Sequence, residues 1–362
     1  MRTKSQTRAP VRTTQLKPRK IANIAVDQDP QGIVINESTN RIYVPCASSN
    51  AVMVINGNTN RAIKRIRTGS FPSRAAVNAR TNQIFVTNSG DYTVSVINGF
   101  SHRVIRTIRV GQEPLDIVVN PKTNKAYVAN QLGDTISVIN GSSGQVKTIQ
   151  HVDEPSGLAL NPETNQIYVI SAARRNGKGQ LFVIDGNSDE VSASIPVGLG
   201  PDNIAVNTKT NRIYVANTQS RTVSVIQGDK AEVERELTLP SAPVTLKLDP
   251  SRHRLYVLCT NRYQGAVAVF NTKTNQQVSE ITAAAEASDL AIHSAKHAIY
   301  LISPASEADQ PNGQLKVMNT RNLSSSQTLD VGTEPVDVIV NHRTSRIYVL
   351  NFLDASVTVV RT

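Results

Sequence analysis

The residues best suited to chemistry recur at one place in this chain. Two positions after a proline, or after Ala287 standing in for one, come Gly32, Arg74, Asp116, Gly157, Asn203, Thr245, Asp289 and Asp337. The prolines are Pro30, Pro72, Pro114, Pro155, Pro201, Pro243 and Pro335. One residue before the same mark stand Asp29, Phe71, Glu113, Glu154, Gly200, Ala242, Glu286 and Glu334. If both sets converge, eight carboxylates gather in a basic protein. Clustered carboxylates suit a hard cation such as Ca²⁺, or an amine-bearing ligand. Asp116, Asp289 and Asp337 are the trio for a weak divalent-cation site. Arg74 beside them would hold an anionic group in metal-assisted hydrolysis. The plainer alternative is that these are exposed turn residues and that the protein uses no cofactor.

The elements that must position these groups form a repeat. "NRIYVPC" at Asn40–Cys46 returns as "NQIFVTN", "NKAYVAN", "NQIYVIS", "NRIYVAN", "HRLYVLC", "HAIYLIS" and "SRIYVLN". The aromatic anchors Tyr43, Phe85, Tyr127, Tyr168, Tyr214, Tyr256, Tyr300 and Tyr348 are spaced by 42, 42, 41, 46, 42, 44 and 48 residues. A period in this range marks a propeller, solenoid or array. The second unit shows four β-branched-rich runs, Ala75–Asn78, Ile84–Thr87, Thr93–Ile97 and Val104–Val110, separated by Asn- and Gly-bearing turns. Such runs read as strands joined by tight hairpins. The fold expected is all-β: an eight-bladed β-propeller of four-stranded antiparallel blades.

The ends of the chain complete one another. The last unit supplies three strands and stops, while "RKIANIAV" at Arg19–Val26 precedes "DQDP" as "RVIRTIRV" precedes "GQEP". The N-terminal strand therefore completes the last blade and closes the ring. Residues 1–18 read as a disordered basic tail and 19–362 as one propeller domain. Of the net charge of +11, residues 1–20 carry +7 and the remaining 342 carry +4.

Comparison between units separates scaffold from candidate site. The distance from anchor to the end of the third strand is 12 in five units, but 16, 14 and 18 in the fourth, sixth and seventh. The insertions, "AARRNGKG", "TNRYQG" and "PASEADQPNG", all fall in the loop between second and third strands. That loop shares a face, the top, with the turn that opens each blade. Loops on a rigid scaffold are where binding residues concentrate. Arg174, Arg175, Arg262 and Tyr263 are thus candidate ligand-binding residues, with Glu307 and Asp309 nearby in sequence.

These segments resemble the YVTN-type bacterial β-propeller repeat, often described as surface-layer-like. The segment "NRIYVANTQSRTVSVI" at Asn211–Ile226 is a close match, and the resemblance covers about residues 19–362. It implies a propeller fold and, among relatives, secreted binding proteins and a periplasmic protein linked to DNA binding. Lactonases and a metal-using lyase are more distant. The best-known relatives have seven blades, and eight units here is a departure.

The function this supports first is a non-catalytic binding scaffold recognising a protein or small ligand through the top face and channel mouth, at Arg74, Asp116, Asn203, Asp289, Asp337, Arg174, Arg175, Arg262 and Tyr263. A lactonase-like hydrolase or lyase in the channel is one alternative. The histidines count against a His-rich metal site there, since five of the six fall beside turns on the opposite face. Single-stranded nucleic-acid binding is the other alternative, through the tail and through Arg61, Lys64, Arg65, Arg67, Arg103, Arg106 and Arg109. The chain has no Trp for stacking. No apolar run approaches the ~20 residues of a membrane span, and the first 25 residues lack the apolar middle region of a secretory signal. The expectation is a cytoplasmic monomer with Cys46 and Cys259 as small buried residues.

Overall fold

A computed structural model describes residues 17–172, 179–261, 263–305, 312–323 and 325–362. Eight four-stranded antiparallel sheets stand in a ring. Seven are built in chain order, beginning with Val34–Asn36, Arg41–Cys46, Ala51–Asn56 and Arg61–Arg67, which form blade 1. Blade 8 pairs Pro335–Asn341, Arg346–Asn351 and Ser356–Arg361 with Arg19–Ala25 as its outermost strand. The register runs from Arg19 opposite Arg361 to Ala25 opposite Ser356, so the N-terminal strand closes the ring as the sequence predicts.

Each layer of a blade has the composition its surroundings require. Second strands are buried from their second residue onward, as in Gln83–Asn88, so they carry near-continuous apolar runs. Fourth strands are mostly exposed and carry the charge. The anchor aromatics are fully buried between blades: Tyr214 of blade 5 packs with Leu255 and Val257 of blade 6. Tyr348 and Leu350 of blade 8 pack with Ile42 and Val44 of blade 1, which spreads the closure through the core.

Two devices recur. Asn40, Asn82, Asn124, Asn165 and Asn211 turn the hairpin between first and second strands in the left-handed region, with φ from 50° to 56°. Asn bears that conformation better than most residues. The glycine that follows the fourth strand packs onto the last asparagine of the next blade's second strand. A Cβ on Gly69, Gly111 or Gly198 would fall within 2.6–2.8 Å of neighbouring atoms, those of Asn88, Asn130 and Asn217 among them. Cys46 and Cys259 are buried free thiols, and burial pushes both up to about 12. No helix among the described residues is long and apolar enough to cross a membrane.

Candidate ligand site at the channel mouth

The first strand of each blade lines the axis, and an irregularity at its start aims the side chains. In blades 3, 4, 5, 6 and 8 the register slips between the opening proline and the residue two further on. A bulge of this kind re-aims a side chain. Arg74, Asp116, Asn203, Thr245, Asp289 and Asp337 line one cavity of about 610 Å³, Asp289 from a strand whose register runs without a slip. Arg74 donates to the carbonyl of Gln31 across the blade 1–2 junction. A Cβ on Gly32 would come within 3.3 Å of that guanidinium, so the glycine leaves it room.

The acidic groups here are held by backbone. Asp116 Oδ2 accepts the Leu158 N–H at 2.8 Å, and Asn203 Oδ1 the Leu246 N–H at 3.1 Å. Asp289 Oδ2 accepts the Val338 N–H and Asp337 Oδ2 the Ile33 N–H, each at 3.3 Å. Every one of these bonds reaches the next blade, so the side chains clasp neighbours as well as face the channel. Asp289 Oδ1 also stands 3.2 Å from Lys247 Nζ.

Electrostatics follow from that crowding. Burial and the charge of Asp289 push the Asp337 carboxyl up to about 7, against the pull of Lys247, Arg74 and the Ile33 N–H. Burial likewise raises Asp116, although the N–H groups of Leu158 and Ile117 and the Arg74 charge oppose it. For Lys247, burial disfavours the ammonium, but Asp289 and Asp337 outweigh it and the pKa is raised. The cavity lining holds four carboxylates, Asp116, Asp202, Asp289 and Asp337, against two cations, Arg74 and Lys247.

Several expectations are corrected. The acids preceding the prolines do not line the cavity. Asp29, Glu113, Glu154 and Glu334 have φ of 59°, 50°, 41° and 52° and serve as left-handed turn residues. The mouth thus holds four carboxylates rather than eight. Among the described residues no three His, Cys, Asp or Glu side chains gather as metal ligands. Asp289 and Asp337 belong to adjacent blades while Asp116 is clasped at the blade 3–4 junction, so the expected Ca²⁺ trio is not assembled. Sequence reasoning overlooked Lys247, for which a signal existed. Four positions after the opening mark stand Val34, Ala76, Val118, Ala159, Ala205, Lys247, Ala291 and Ile339, a single charge in an apolar layer.

The insertions do lie between second and third strands on the top face, between Ser171 and Gly179 in blade 4 and between Ser303 and Gln314 in blade 7. In blade 6 the two extra residues lengthen the strands until Thr260 pairs with Gly265. Tyr263 tops that hairpin and is 91% exposed. Arg174, Arg175, Arg262, Glu307 and Asp309 lie outside the described residues.

Residues 73–216 match the family model described as a YNCE-like beta-propeller, a stretch shorter than half the chain. No curated protein sequence matches. Among solved structures, the chain is similar to one described as "Dihydro-heme d1 dehydrogenase NirN in complex with DHE", with a TM-score of 0.71 and 14% identity over 83% of this chain. It spans 66% of that chain, just under two thirds. It is also similar to hydrazine synthase of Kuenenia stuttgartiensis, with a TM-score of 0.63 and 15% identity, covering 98% of this chain and 99% of the other. At such identities the likeness is one of fold.

Proposed function

We propose that this propeller is a non-catalytic scaffold that binds a small amine-bearing ligand at its channel mouth. One observation carries the reading: a cavity of about 610 Å³ whose lining holds two more carboxylates than cations. Placed by the sheet itself, these groups need no reorganisation to receive a cation. Exposed apolar side chains on the surrounding top loops, Phe71, Leu132, Leu199, Tyr263 and Leu353, would flank a ligand's apolar part. The NirN neighbour is described as a complex with DHE, which agrees with a propeller that holds a ligand and carries no further at 14% identity. The repeat segments also support assignment to the YVTN-type group as part of this proposal. Calorimetric titration with 1,4-diaminobutane, against 1,4-butanediol, tests the ligand class. Binding of the diamine alone, weakened at least tenfold by Asp289→Asn, is the expected result. Equal heats for amine and alcohol would reject it.

A second reading is favoured by a different observation. Outer strands of blades 8, 1, 2 and 3 expose Arg19, Lys20, Arg61, Lys64, Arg65, Arg67, Arg103, Arg109 and Lys147, with Arg106 half-buried, and no acid. Those of blades 4 to 7 expose Glu190, Glu232, Glu234, Glu236, Glu280 and Asp330, with Arg235 as their one cation. Edge protection alone would be served by either sign. A one-sided basic wall beside a basic tail suits the phosphates of single-stranded nucleic acid.

A further inference from the structure

On the bottom face, five blade junctions are closed by one amide pair. Asn36, Asn78, Asn120, Asn161 and Asn341 donate to Asn82, Asn124, Asn165, Asn211 and Asn40 at 2.6–2.8 Å. Four of the receiving asparagines pass their own N–H on to a neutral or anionic acceptor in the outer hairpin of the same blade. These are Asn58, Ser142, Asn187 and Asp229, at 2.7 to 3.3 Å. At these four junctions donors and acceptors match, while the Asn82 Nδ2 of blade 2 is buried without a partner.

The blade 6–7 junction breaks this arithmetic. The donating asparagine is replaced by Asp249, whose oxygens are taken by Ser251 Oγ and by Arg252 Nη1 at 2.7 Å. The receiving asparagine is replaced by His297, in the same left-handed turn at φ 56°. The outer-hairpin acceptor is replaced by Arg321, a donor. The residue before the turn is Thr39, Thr81, Thr123, Thr164, Thr210 and Thr344 in six blades, but Arg252 and Lys296 in blades 6 and 7. Arg252 Nη2 and Arg321 Nη2 both face ring nitrogens of His297, the latter at 2.7 Å. A neutral imidazole has one acceptor nitrogen, and an imidazolium has none. Two guanidiniums therefore claim more lone pairs than the ring offers. Arg321 pairs with no carboxylate among the described residues, and Arg252 has only Asp249.

We propose that Arg252, His297 and Arg321 form a second binding site, distinct from the channel, for a tetrahedral oxyanion of the phosphate class. Such an anion supplies the acceptors that the junction lacks, and a guanidinium fork matches it bidentately. Asp249 keeps Arg252 in place through Nη1 while Nη2 remains for the ligand. Exposed Lys296 immediately precedes His297 in the same turn.

Thermal denaturation in potassium phosphate and in potassium chloride of equal ionic strength, near pH 7.5, tests this, with phenyl phosphate as a third arm. At low millimolar concentrations, where general salting-out by phosphate is negligible, phosphate raises Tm by several degrees over chloride if the site exists. A larger rise with phenyl phosphate identifies a monoester as the ligand, and an equal rise identifies the free ion. Arg321→Asn restores the neutral acceptor of blades 1 and 4; it abolishes the phosphate increment while leaving Tm in chloride equal or higher. No increment in the native protein, or one that Arg321→Asn retains, overturns the proposal. Line broadening of the ³¹P signal by the native chain, but not by Arg321→Asn, is the independent readout.

Discussion

At the scale of single residues, the channel aspartates do two jobs with two oxygens. Asp337 gives one oxygen to the Ile33 N–H and so joins blade 8 to blade 1. Burial together with the Asp289 charge lifts its carboxyl to about 7. A carboxyl raised in the folded state binds its proton more tightly there than in the unfolded chain. Its contribution to stability is full below the unfolded value, about 4, and is lost as pH rises through about 7. Asp337→Asn keeps an acceptor for Ile33 and removes the ionisation. It should raise Tm by roughly 2–4 °C at pH 8 and change it little at pH 4, as thermal melts at both pH values would read. Amine affinity in the channel should rise from pH 6 to pH 8 as Asp337 ionises, and Asp337→Asn should flatten that profile in calorimetry. The aspartates were legible in the sequence because the opening proline marks their register. The Arg252–His297–Arg321 cluster was not, because its members come from three turns of two blades.

At the scale of elements, one strand and one glycine carry testable weight. The strand Arg19–Ala25 covers the edge of Ser356–Arg361 and buries Ile24. Removing residues 1–17 should leave the melting temperature unchanged. Removing residues 1–28 should lower it by more than about 10 °C or prevent folding, because it strips the last blade of a strand and bares an edge. Equal melting temperatures would contradict the closure. Gly111 is compact for a steric reason, since its φ is not left-handed yet a Cβ would reach within 2.7 Å of Asn130. Gly111→Ala should cost about 1–3 kcal/mol in denaturant unfolding, the range for overpacking. Strand order, the four-strand blade and the placement of insertions followed from the sequence, since the two-residue alternation and the turn residues are local. The register slip after the opening proline of blades 3, 4, 5, 6 and 8 was not legible, because it arises only when first and second strands pair.

At the scale of the whole molecule, charge is segregated around the wall. If the nucleic-acid reading holds, single-stranded DNA affinity should fall steeply with salt, and replacing Lys64, Arg67 and Arg103 with glutamine should flatten the slope. Affinity that ignores salt, or survives the replacements unchanged, would remove that reading. The sequence by itself determined the repeat, its eightfold count, the composite last blade and the face that carries the insertions, because all of these depend on periodicity along the chain. Only the tertiary structure decided which charges meet. Closing the ring brings residues some forty positions apart into contact across each junction, and turns Asp29, Glu113, Glu154 and Glu334 into turn residues while Lys247 enters the channel. That is a matter of angles between blades, which no linear spacing encodes.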